Sequence, residues 1–309
     1  MNKISIIGAG SVGSTIAYTL AIQGIASEIV LIDINTDKAV GEALDIMQGT
    51  PLSSPCKVYQ GGYEEAKDSD IVILTSGIAR KPGQSRLELA QTNVNITKSI
   101  IPEITKSAPN AFYIIVSNPI DVLTYTFCKL SGLPENHIIG SGTTIDSARL
   151  RAKLSECYGV SQDNIHAYVF GEHGDSSFVP WSLANIAGVP CDDCNEYFGA
   201  EDINNEEIEE FVRTSGAQVI KRKGATFYAI AVSVCHICER ILHGIDTVLP
   251  VSTMMHGEYG IDDVALSTLA IVDHNGISGK LTAPLTDDEI ASLKKSADAL
   301  KDVIKQLEF

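Results

Sequence analysis

One histidine is placed where it could move a proton. His173 lies between two glycines in the segment GEHGD (171–175), and an acidic residue, Asp146, precedes it in the segment DSAR (146–149). A carboxylate bonded to one imidazole nitrogen fixes the tautomer and favours the charged ring. The other nitrogen is then able to give a proton to a substrate oxygen or take one from it. The pair predicts acid–base catalysis if folding brings the two side chains together; the alternative is that His173 is an ordinary loop residue.

A glycine-rich segment near the N-terminus has the spacing of a nucleotide-binding loop. Gly8, Gly10 and Gly13 follow a short apolar run, and Asp33 comes 20 residues after Gly13. In this context the glycines let the backbone approach a pyrophosphate at a helix N-terminus. Asp33 would accept hydrogen bonds from the adenosine ribose, and its charge would repel a 2′-phosphate. The sequence therefore predicts NAD rather than NADP, and the alternative is a tight turn that binds no ligand.

Strands and helices alternate in the first half of the chain. Apolar runs at 4–7, 28–33, 71–75 and 111–117 are typical of buried strands, and the spacing at 14–23 and 87–106 predicts helices. Gly24 is a candidate C-cap for the first helix. Strands that alternate with helices in this way predict an α/β fold with a Rossmann-type, doubly wound parallel sheet.

The second half has a different pattern, which predicts an α+β substrate-binding or catalytic domain. Helices are expected at 143–158, 205–222, 225–242 and 286–307. A capping box of Thr286 and Glu289 would begin the last of them. Strands or extended segments are expected at 164–170, 178–186, 247–255 and 264–272. We therefore predict two domains, residues 1–142 for dinucleotide binding and residues 143–309 for substrate binding and catalysis, with an extensive interface.

Charge and composition argue against several classes of protein. The 309 residues include 23 Lys and Arg against 39 Asp and Glu, a formal net charge of −16. Such a chain repels nucleic acid and anionic membranes, so neither is expected as a partner. No apolar run approaches the roughly 18 to 20 residues of a membrane helix, and the N-terminus lacks the pattern of a secretory signal. We therefore expect a cytoplasmic protein.

Seven cysteines raise the question of a metal or redox site. The odd count, with no secretory signal, argues against a disulfide scaffold. Two Cys-x-x-Cys pairs, Cys191/Cys194 and Cys235/Cys238, could in principle bind zinc or form a redox pair. Cys235 and Cys238, however, lie in an apolar, helix-like run, where cysteine usually serves as a small hydrophobic residue. The prediction is that the chain has no metal site.

Six segments together resemble the L-lactate/malate dehydrogenase superfamily over essentially the whole chain. They are GAGSVG (8–13), RKPGQSR (80–86), SNPIDVLT (117–124), GSGTTIDSAR (140–149), GEHGDSSFVPWS (171–182) and KGAT (223–226). The resemblance implies hydride transfer between nicotinamide and C2 of a 2-hydroxy or 2-keto acid, in a homodimer or homotetramer. The competing hypothesis is an NAD-binding module that has lost catalysis, but the candidate catalytic residues and both substrate arginines are present.

The resemblance also implies a role for each candidate residue. His173 would donate or accept the proton with Asp146 as its partner, Arg149 would hold the C1 carboxylate, and Arg86 would polarise the C2 carbonyl. Asn118 and Thr226 would line the substrate pocket. The nucleotide-contacting positions would be Gly8, Gly10, Val12, Gly13, Asp33, Lys38, Gly77, Ile78, Val116 and Asn118. The chemistry agrees, because a planar guanidinium matches two carboxylate oxygens and cations stabilise charge that develops on the carbonyl oxygen.

Arg80 bears on the choice of substrate. Within the resemblance it faces the substituent on substrate C3, where lactate dehydrogenases usually carry glutamine and malate dehydrogenases carry arginine. A buried arginine that faces a methyl group would be an unpaired charge, whereas a second carboxylate would pair with it. Arg80 therefore favours malate and oxaloacetate. The segments GEHGDSSFVPWS and KGAT look lactate-type, so lactate and pyruvate remain the alternative, as they do if Arg80 points to solvent.

Arg151 and His166 form a candidate effector site. By resemblance, their positions bind fructose 1,6-bisphosphate between the subunits of bacterial lactate dehydrogenases. Residues two apart on a helix point to nearly opposite sides, so Arg151 is directed away from the face that carries Arg149. The alternative is an ordinary surface arginine and a histidine at the end of a strand.

Overall fold

The first half of the chain forms six parallel strands joined by helices in this computed structural model, which describes residues 2–78, 83, 85–199 and 203–309. The strands are β1 (Lys3–Ile7), β2 (Glu28–Ile32), β3 (Lys57–Gln60), β4 (Ile71–Leu74), β5 (Phe112–Ile115) and β6 (Ile138–Gly140). The helices are α1 (Ser11–Ile22), α2 (Thr36–Gly49), α3 (Arg86–Ser107) and α4 (Ile120–Ser131). The strand order is β3-β2-β1-β4-β5-β6, so the chain reverses direction across the sheet between β1 and β4. This order confirms the doubly wound Rossmann-type sheet, whose ligand cleft lies at that reversal.

Three antiparallel strands from the second half extend the same sheet. They are β10 (Thr247–His256), β11 (Asp262–Asp273) and β12 (Gly276–Lys280). β10 lies beside β6, with Ser252 opposite Gly140, and a single nine-stranded sheet results. The sequence predicted only the first two of these strands. Because the sheet is continuous, the division at residues 142 and 143 stays a prediction.

The rest of the second half is mostly helical. Its helices are α5 (Thr144–Tyr158), α6 (Cys191–Phe198), α7 (Asn205–Lys223), α8 (Tyr228–His243) and α9 (Asp287–Ile304). The capping box of Thr286 and Glu289 is present at the start of α9. The extended segments predicted at 164–170 and 178–186 are wrong in extent. Only the short strands β7 (Ile165–His166) and β8 (Asn185–Ile186) form there, with β9 (Val189–Pro190) completing a small sheet.

Apolar side chains cover both faces of the large sheet. Helices α1, α2 and α8 pack on one face, and α3, α4 and α9 pack on the other. A third apolar cluster joins α5 to α6 and α7. Cys235 and Cys238 lie in the first of these layers and Cys191 and Cys194 in the third cluster, so all four are small core residues. Within the described ranges, no group of three or more histidine, cysteine or acidic residues could hold a metal ion.

A helix needs about 20 consecutive, mostly apolar residues to cross a membrane. Among the helices that the structure describes, none has the length and apolar character needed to cross one.

Candidate active site

The structure brings the predicted histidine and aspartate into contact. Asp146 lies in the first turn of α5, just after β6, and His173 lies in the loop between β7 and β8. His173 Nδ1 is 2.5 Å from Asp146 Oδ2, and the two side chains are only 20% and 10% exposed. The contact leaves the second imidazole nitrogen, Nε2, available to a ligand.

The pair favours the protonated form of the histidine. Burial alone would lower the pKa of His173, but the Asp146 carboxylate outweighs burial, and the pKa is raised. Burial would raise the pKa of Asp146, but the charges of His173 and Arg149 outweigh that effect, and this pKa is lowered. An imidazolium beside a carboxylate therefore persists above the ordinary histidine range.

Arg149 shares the same carboxylate. Its Nη1 lies 2.8 Å from Asp146 Oδ1, the oxygen that His173 does not use. The guanidinium packs close to Gly216 of α7, where an added Cβ would lie 3.4 Å from Nη2. Arg149, Asp146 and His173 thus form one connected group, in which the candidate proton carrier lies beside the arginine that is expected to bind a substrate carboxylate.

The loop that carries His173 is fixed to three elements by its main chain. The main chains of Gly171 and of Ser267 on β11 exchange two hydrogen bonds, each 3.0 Å long. The N–H of Glu172 donates to Ser296 Oγ of α9 at 2.8 Å. The N–H of His173 donates to Asp121 Oδ2 of α4 at 2.8 Å. These contacts orient the loop independently of the imidazole ring.

Sequence reasoning missed Asp121 and Ser296. Asp121 lies inside a segment that was quoted for the resemblance, and it is the one acidic residue of a buried apolar helix start, IDVLTYTF. An acid at a position that faces the core is a usable signal of a partner. Ser296 gives no such signal, because a serine within a charged helix is unremarkable in sequence.

Asn118 lies beside His173. Together with Val116, Ile145 and Ile230 of α8, the two residues line a small cavity. The main-chain oxygen of Asn118 accepts a hydrogen bond of 2.7 Å from Asn93 Nδ2 of α3. Asn93 is a further residue that the sequence did not single out, and it lies between the predicted substrate and nucleotide positions.

The nucleotide cleft lies where the sheet reverses direction. It has a volume of about 590 Å³, and its lining includes Gly8, Gly10, Asp33, Gly77 and Ile78. Asp33 Oδ2 accepts the N–H of Ala9 at 2.6 Å, which places the carboxylate beside the glycine loop. A dinucleotide needs an open approach to this loop and an acid at the ribose position, and the cleft provides both.

The glycines of the loop have separate structural reasons. A Cβ on Gly13 would lie 1.8 Å from the main-chain oxygen of Gly8, so only glycine lets α1 pack against β1. A Cβ on Gly10 would meet nothing within 4 Å, which is the space that a pyrophosphate needs. Because these two glycines permit the turn, α1 begins at Ser11, three residues before the predicted start.

Two of the other nucleotide positions lie away from the cleft lining. Val12 packs against the apolar layer on the α1 face of the sheet. Lys38 is exposed, and its N–H donates to Asn35 Oδ1 at the start of α2. A direct role of the Lys38 side chain stays a prediction.

The remaining substrate and effector positions are dispersed. Arg86, the first residue of α3, forms an ion pair of 2.6 Å with Asp175, and both side chains are exposed. Thr226 is partly exposed between α7 and α8. Arg151 on α5 and His166 on β7 are both exposed, and in the described part of the chain no hydrogen bond or ion pair joins them. Arg80 lies outside the described residues.

These features define a class of protein. A doubly wound sheet with a dinucleotide cleft, joined to a buried histidine–aspartate pair beside an arginine, has the architecture of a nicotinamide-dependent dehydrogenase.

Comparisons with known proteins give the family. A family model described as lactate/malate dehydrogenase, NAD binding domain, matches residues 2–140, and the corresponding alpha/beta C-terminal domain matches residues 143–308. The chain belongs to the lactate/malate dehydrogenase family. It is therefore an NAD-dependent oxidoreductase that acts on the CH–OH group of a 2-hydroxy acid.

Individual relatives match along their whole length. An L-lactate dehydrogenase from Thermoanaerobacter is 48% identical, with all of both chains covered. An L-lactate dehydrogenase from Acetivibrio thermocellus is 46% identical, with 100% of this chain and 98% of the relative covered. The ligand-bound crystal structure of a minor L-lactate dehydrogenase from Enterococcus mundtii has a TM-score of 0.96, at 38% identity over 100% of this chain and 99% of that one.

Proposed function

We propose that this chain is an L-lactate dehydrogenase that interconverts pyruvate and L-lactate. The observation that carries the proposal is the naming of its full-length relatives, which are L-lactate dehydrogenases at 46% and 48% identity. These names favour the alternative weighed above over the malate and oxaloacetate that Arg80 led us to expect. The cavity beside His173 supports the same choice, because its other described side chains are neutral and several are apolar.

The connected group of Arg149, Asp146 and His173 accounts for the proton transfer. Arg149 holds the carboxylate of the keto acid, which brings the neighbouring carbonyl close to His173. Bound NADH supplies the hydride. As negative charge develops on the carbonyl oxygen, protonated His173 donates its Nε2 proton to that oxygen. Asp146 keeps the Nδ1 proton in place, so the product state is a neutral imidazole with a defined tautomer.

Arg86 is the second cation of the proposed mechanism. Its partner, Asp175, is two residues from His173 in the same loop, and their ion pair is exposed to solvent. An exposed pair contributes little to stability, about 0 to 1 kcal/mol. Arg86 can therefore exchange Asp175 for the carbonyl oxygen of a bound substrate at small cost.

Oxaloacetate is the second candidate substrate, and Arg80 is the observation that favours it. An arginine at the C3 side would pair with the second carboxylate of this dicarboxylic acid. Losing one partner of such a buried pair costs roughly 2 to 5 kcal/mol. Arg80→Gln would then change the ratio of the two specificity constants by on the order of 10²-fold or more.

The test compares kcat/KM for pyruvate and oxaloacetate from the loss of NADH absorbance. The proposal requires that pyruvate is preferred and that Arg80→Gln changes the ratio by less than about threefold, a difference of less than about 0.7 kcal/mol. Lys81→Gln, a neighbouring removal of positive charge, is the matched control. A preference for oxaloacetate that Arg80→Gln reverses and Lys81→Gln does not would establish the malate-type function instead.

The resemblance also supports a homo-oligomer and an effector site at Arg151 and His166. Both side chains are exposed and can be cationic, so a phosphorylated ligand between subunits suits them. Light scattering with and without fructose 1,6-bisphosphate measures the oligomer. If fructose 1,6-bisphosphate increases the rate of keto acid reduction and Arg151→Gln abolishes that increase, the effector site is supported. A monomer whose mass and activity the ligand leaves unchanged would rule out both the homo-oligomer and the effector site.

A further inference from the structure

Asp121 is a buried carboxylate that touches the loop of the proton carrier. It lies in the first turn of α4, and only 2% of its surface is exposed. Its Oδ2 accepts the main-chain N–H of His173 at 2.8 Å, and its Oδ1 accepts the hydroxyl of Ser252 at 2.6 Å. Ser252 is fully buried on β10. One carboxylate therefore joins a helix of the first half, a strand of the second half and the loop of His173.

His173 is held at two places by two acids. Asp146 fixes the ring through Nδ1, whereas Asp121 fixes the peptide group of the same residue. Glycines at positions 171 and 174 flank the short loop, and glycine gives the backbone little resistance to rotation. The ring contact alone therefore does not determine where Nε2 points. Main-chain contacts hold Gly171 and Glu172 in place, and the contact with Asp121 is the one made by the peptide group of His173 itself.

Few charged groups face this histidine. α5 contributes Asp146 and Arg149, and α4 contributes Asp121. Glu172 of the loop acts on Asp121 instead, and its charge raises the pKa of that carboxyl. β10 contributes the neutral Ser252, and α8 contributes the neutral Ser233 to the adjoining cavity. Asp146 also pairs with Arg149, but in the described ranges no ion pair joins Asp121 to a lysine or arginine.

We propose that Asp121 is a positioning residue for the proton transfer, which orients His173 through its main-chain N–H and favours the imidazolium by a second nearby negative charge. The proposal rests on the proposed role of His173. Asp121 touches neither substrate nor cofactor in this scheme, and it acts through His173 alone.

The ionisation of Asp121 is consistent with this role. Burial raises its pKa to about 6, although the hydrogen bonds from Ser252 and His173 oppose the rise. The carboxylate is then mostly ionised at neutral pH. Because Asp121 and His173 each change the pKa of the other, the midpoints of the pH profile are properties of the two groups together and not of either residue alone.

Asp121→Asn separates the contribution of the hydrogen bond to the His173 N–H from the contribution of the negative charge. The amide oxygen can still accept the N–H of His173, and the amide NH₂ can donate to Ser252, but the charge is lost. Ser252→Ala is the second variant, which removes one hydrogen bond from the ionised carboxylate and so raises the pKa of Asp121. Asp70→Asn is the matched control. Asp70 also accepts a main-chain N–H, that of Lys3 at 2.7 Å, but it does so at the start of β1, the end of that strand away from the glycine loop.

Two measurements read the result. One is the pH profile of kcat/KM for keto acid reduction, and the other is the NMR titration of the His173 ring in ligand-free protein, with His173→Asn used for assignment. We expect Asp121→Asn to move both midpoints to lower pH. At pH values below the new midpoint, its kcat should stay within about threefold of the parent value, a difference of less than about 0.7 kcal/mol in activation free energy. Ser252→Ala should move both midpoints in the same direction by less, and Asp70→Asn should move neither.

Unchanged midpoints in both Asp121→Asn and Ser252→Ala would overturn the proposal, even if their activity fell, because that result describes a structural role only. If Asp121→Asn does not fold, as judged by thermal unfolding and NADH binding, Ser252→Ala decides. If the parent protein reduces no keto acid, the proposed function fails, whereas the NMR titration still tests the coupling of the two groups.

Discussion

At the scale of residues, the two carboxylate oxygens of Asp146 bind two different side chains. One binds the imidazole of His173, and the other binds the guanidinium of Arg149. The Asp146 carboxylate thereby fixes the distance between His173, the proposed proton carrier, and Arg149, which is proposed to bind the substrate carboxylate. An error of about 1 Å in such a separation can lower a rate by roughly 10²-fold. The residues of this group are therefore expected to affect kcat more than cofactor binding.

His173→Asn is expected to lower kcat by roughly 10² to 10⁴-fold, the contribution of a general acid or base. NADH affinity should change little, because the nucleotide cleft lies at the β1–β4 reversal and His173 is outside its lining. Steady-state kinetics and NADH fluorescence titration check the two parts. His256→Asn is the control, since His256 also contacts a carboxylate, Glu135, but on the surface. Near-normal turnover of His173→Asn would remove this residue from the mechanism.

Asp33→Ser is expected to narrow the preference for NADH over NADPH. The carboxylate, held 2.6 Å from the N–H of Ala9, would lie where a 2′-phosphate would have to fit. Removing its charge relieves the repulsion and also weakens binding of the NADH ribose. The ratio of kcat/KM for the two cofactors is the measurement, and Asp37→Ser in the first turn of α2 is the control. Equal use of both cofactors by the parent protein would contradict the role of Asp33.

At the scale of elements, Asn93 connects the ends of two neighbouring strands. It lies on the buried side of α3 and is 1% exposed. Its Oδ1 accepts the N–H of Ile78 after β4 at 2.9 Å, and its Nδ2 donates to the main-chain oxygen of Asn118 after β5 at 2.7 Å. The helix therefore sets the spacing between a predicted nucleotide position and a predicted substrate position.

Asn93→Ala is expected to weaken NADH binding by on the order of 10-fold. The variant removes the hydrogen bonds of Asn93 to the partly buried N–H of Ile78 and to the main-chain oxygen of Asn118, each of which contributes about 0.5 to 1.5 kcal/mol. Part of that cost falls on cofactor binding, because the segment of Gly77 and Ile78 lines the cleft. Isothermal calorimetry measures the affinity, and Asn95→Ala on the exposed side of α3 is the control. A loss of thermal stability with unchanged affinity would show that Asn93 acts only on folding.

Local patterns were sufficient for some elements and insufficient for others. The apolar runs and the spacing of the glycines in the loop after β1 were sufficient to predict β1, α1 and β2. The segments 164–170 and 178–186 are apolar enough for strands, yet they pair with each other only at their ends, where β7 meets β8 and where Phe170 pairs with Phe178. Between these ends, the N–H of Val169 donates to a side chain, Ser147 Oγ, instead of to a strand. α6 was missed because its eight residues, Cys191–Phe198, are too few for helical periodicity to be visible.

At the scale of the whole molecule, the candidate active site lies where the two halves of the sheet meet. β6 pairs with β10, a strand more than a hundred residues later, and Ser252 lies opposite Gly140 at this junction. An added Cβ on Gly140 would lie 2.7 Å from the Cβ of Ser252, so glycine is required for the close approach. Residue chemistry singled out His173 and Asp146 as candidates, and the fold brings them into contact. Residue chemistry did not reveal Asp121, because Asp121 and its two partners, His173 and Ser252, lie on three elements that only the complete fold brings together.

The pH dependence of unfolding gives a test at this scale. The pKa of Asp121 is about 6 in the folded protein, against an ordinary value of 3.8, so the folded state binds more protons between these values. The free energy of unfolding therefore falls as pH rises through this window, by about 3 kcal/mol at 1.36 kcal/mol per pKa unit. The raised pKa of His173 adds a further fall above its ordinary value of 6.5. The lowered pKa of Asp146 acts in the opposite sense, and only as pH falls below about 3.8.

Asp121→Asn is expected to remove the Asp121 part of this fall. Comparing the variant with the parent at each pH cancels groups elsewhere in the chain, so the difference isolates Asp121 and the groups coupled to it. Urea unfolding at about pH 4 and about pH 7 should show the parent losing about 3 kcal/mol more than the variant over this range. Protein concentration is held constant, since the stability of an oligomer depends on it. Asp70→Asn should follow the parent curve, and an Asp121→Asn curve parallel to the parent would mean that the buried carboxylate is ionised without cost, its charge fully balanced by His173, Ser252 and the main chain.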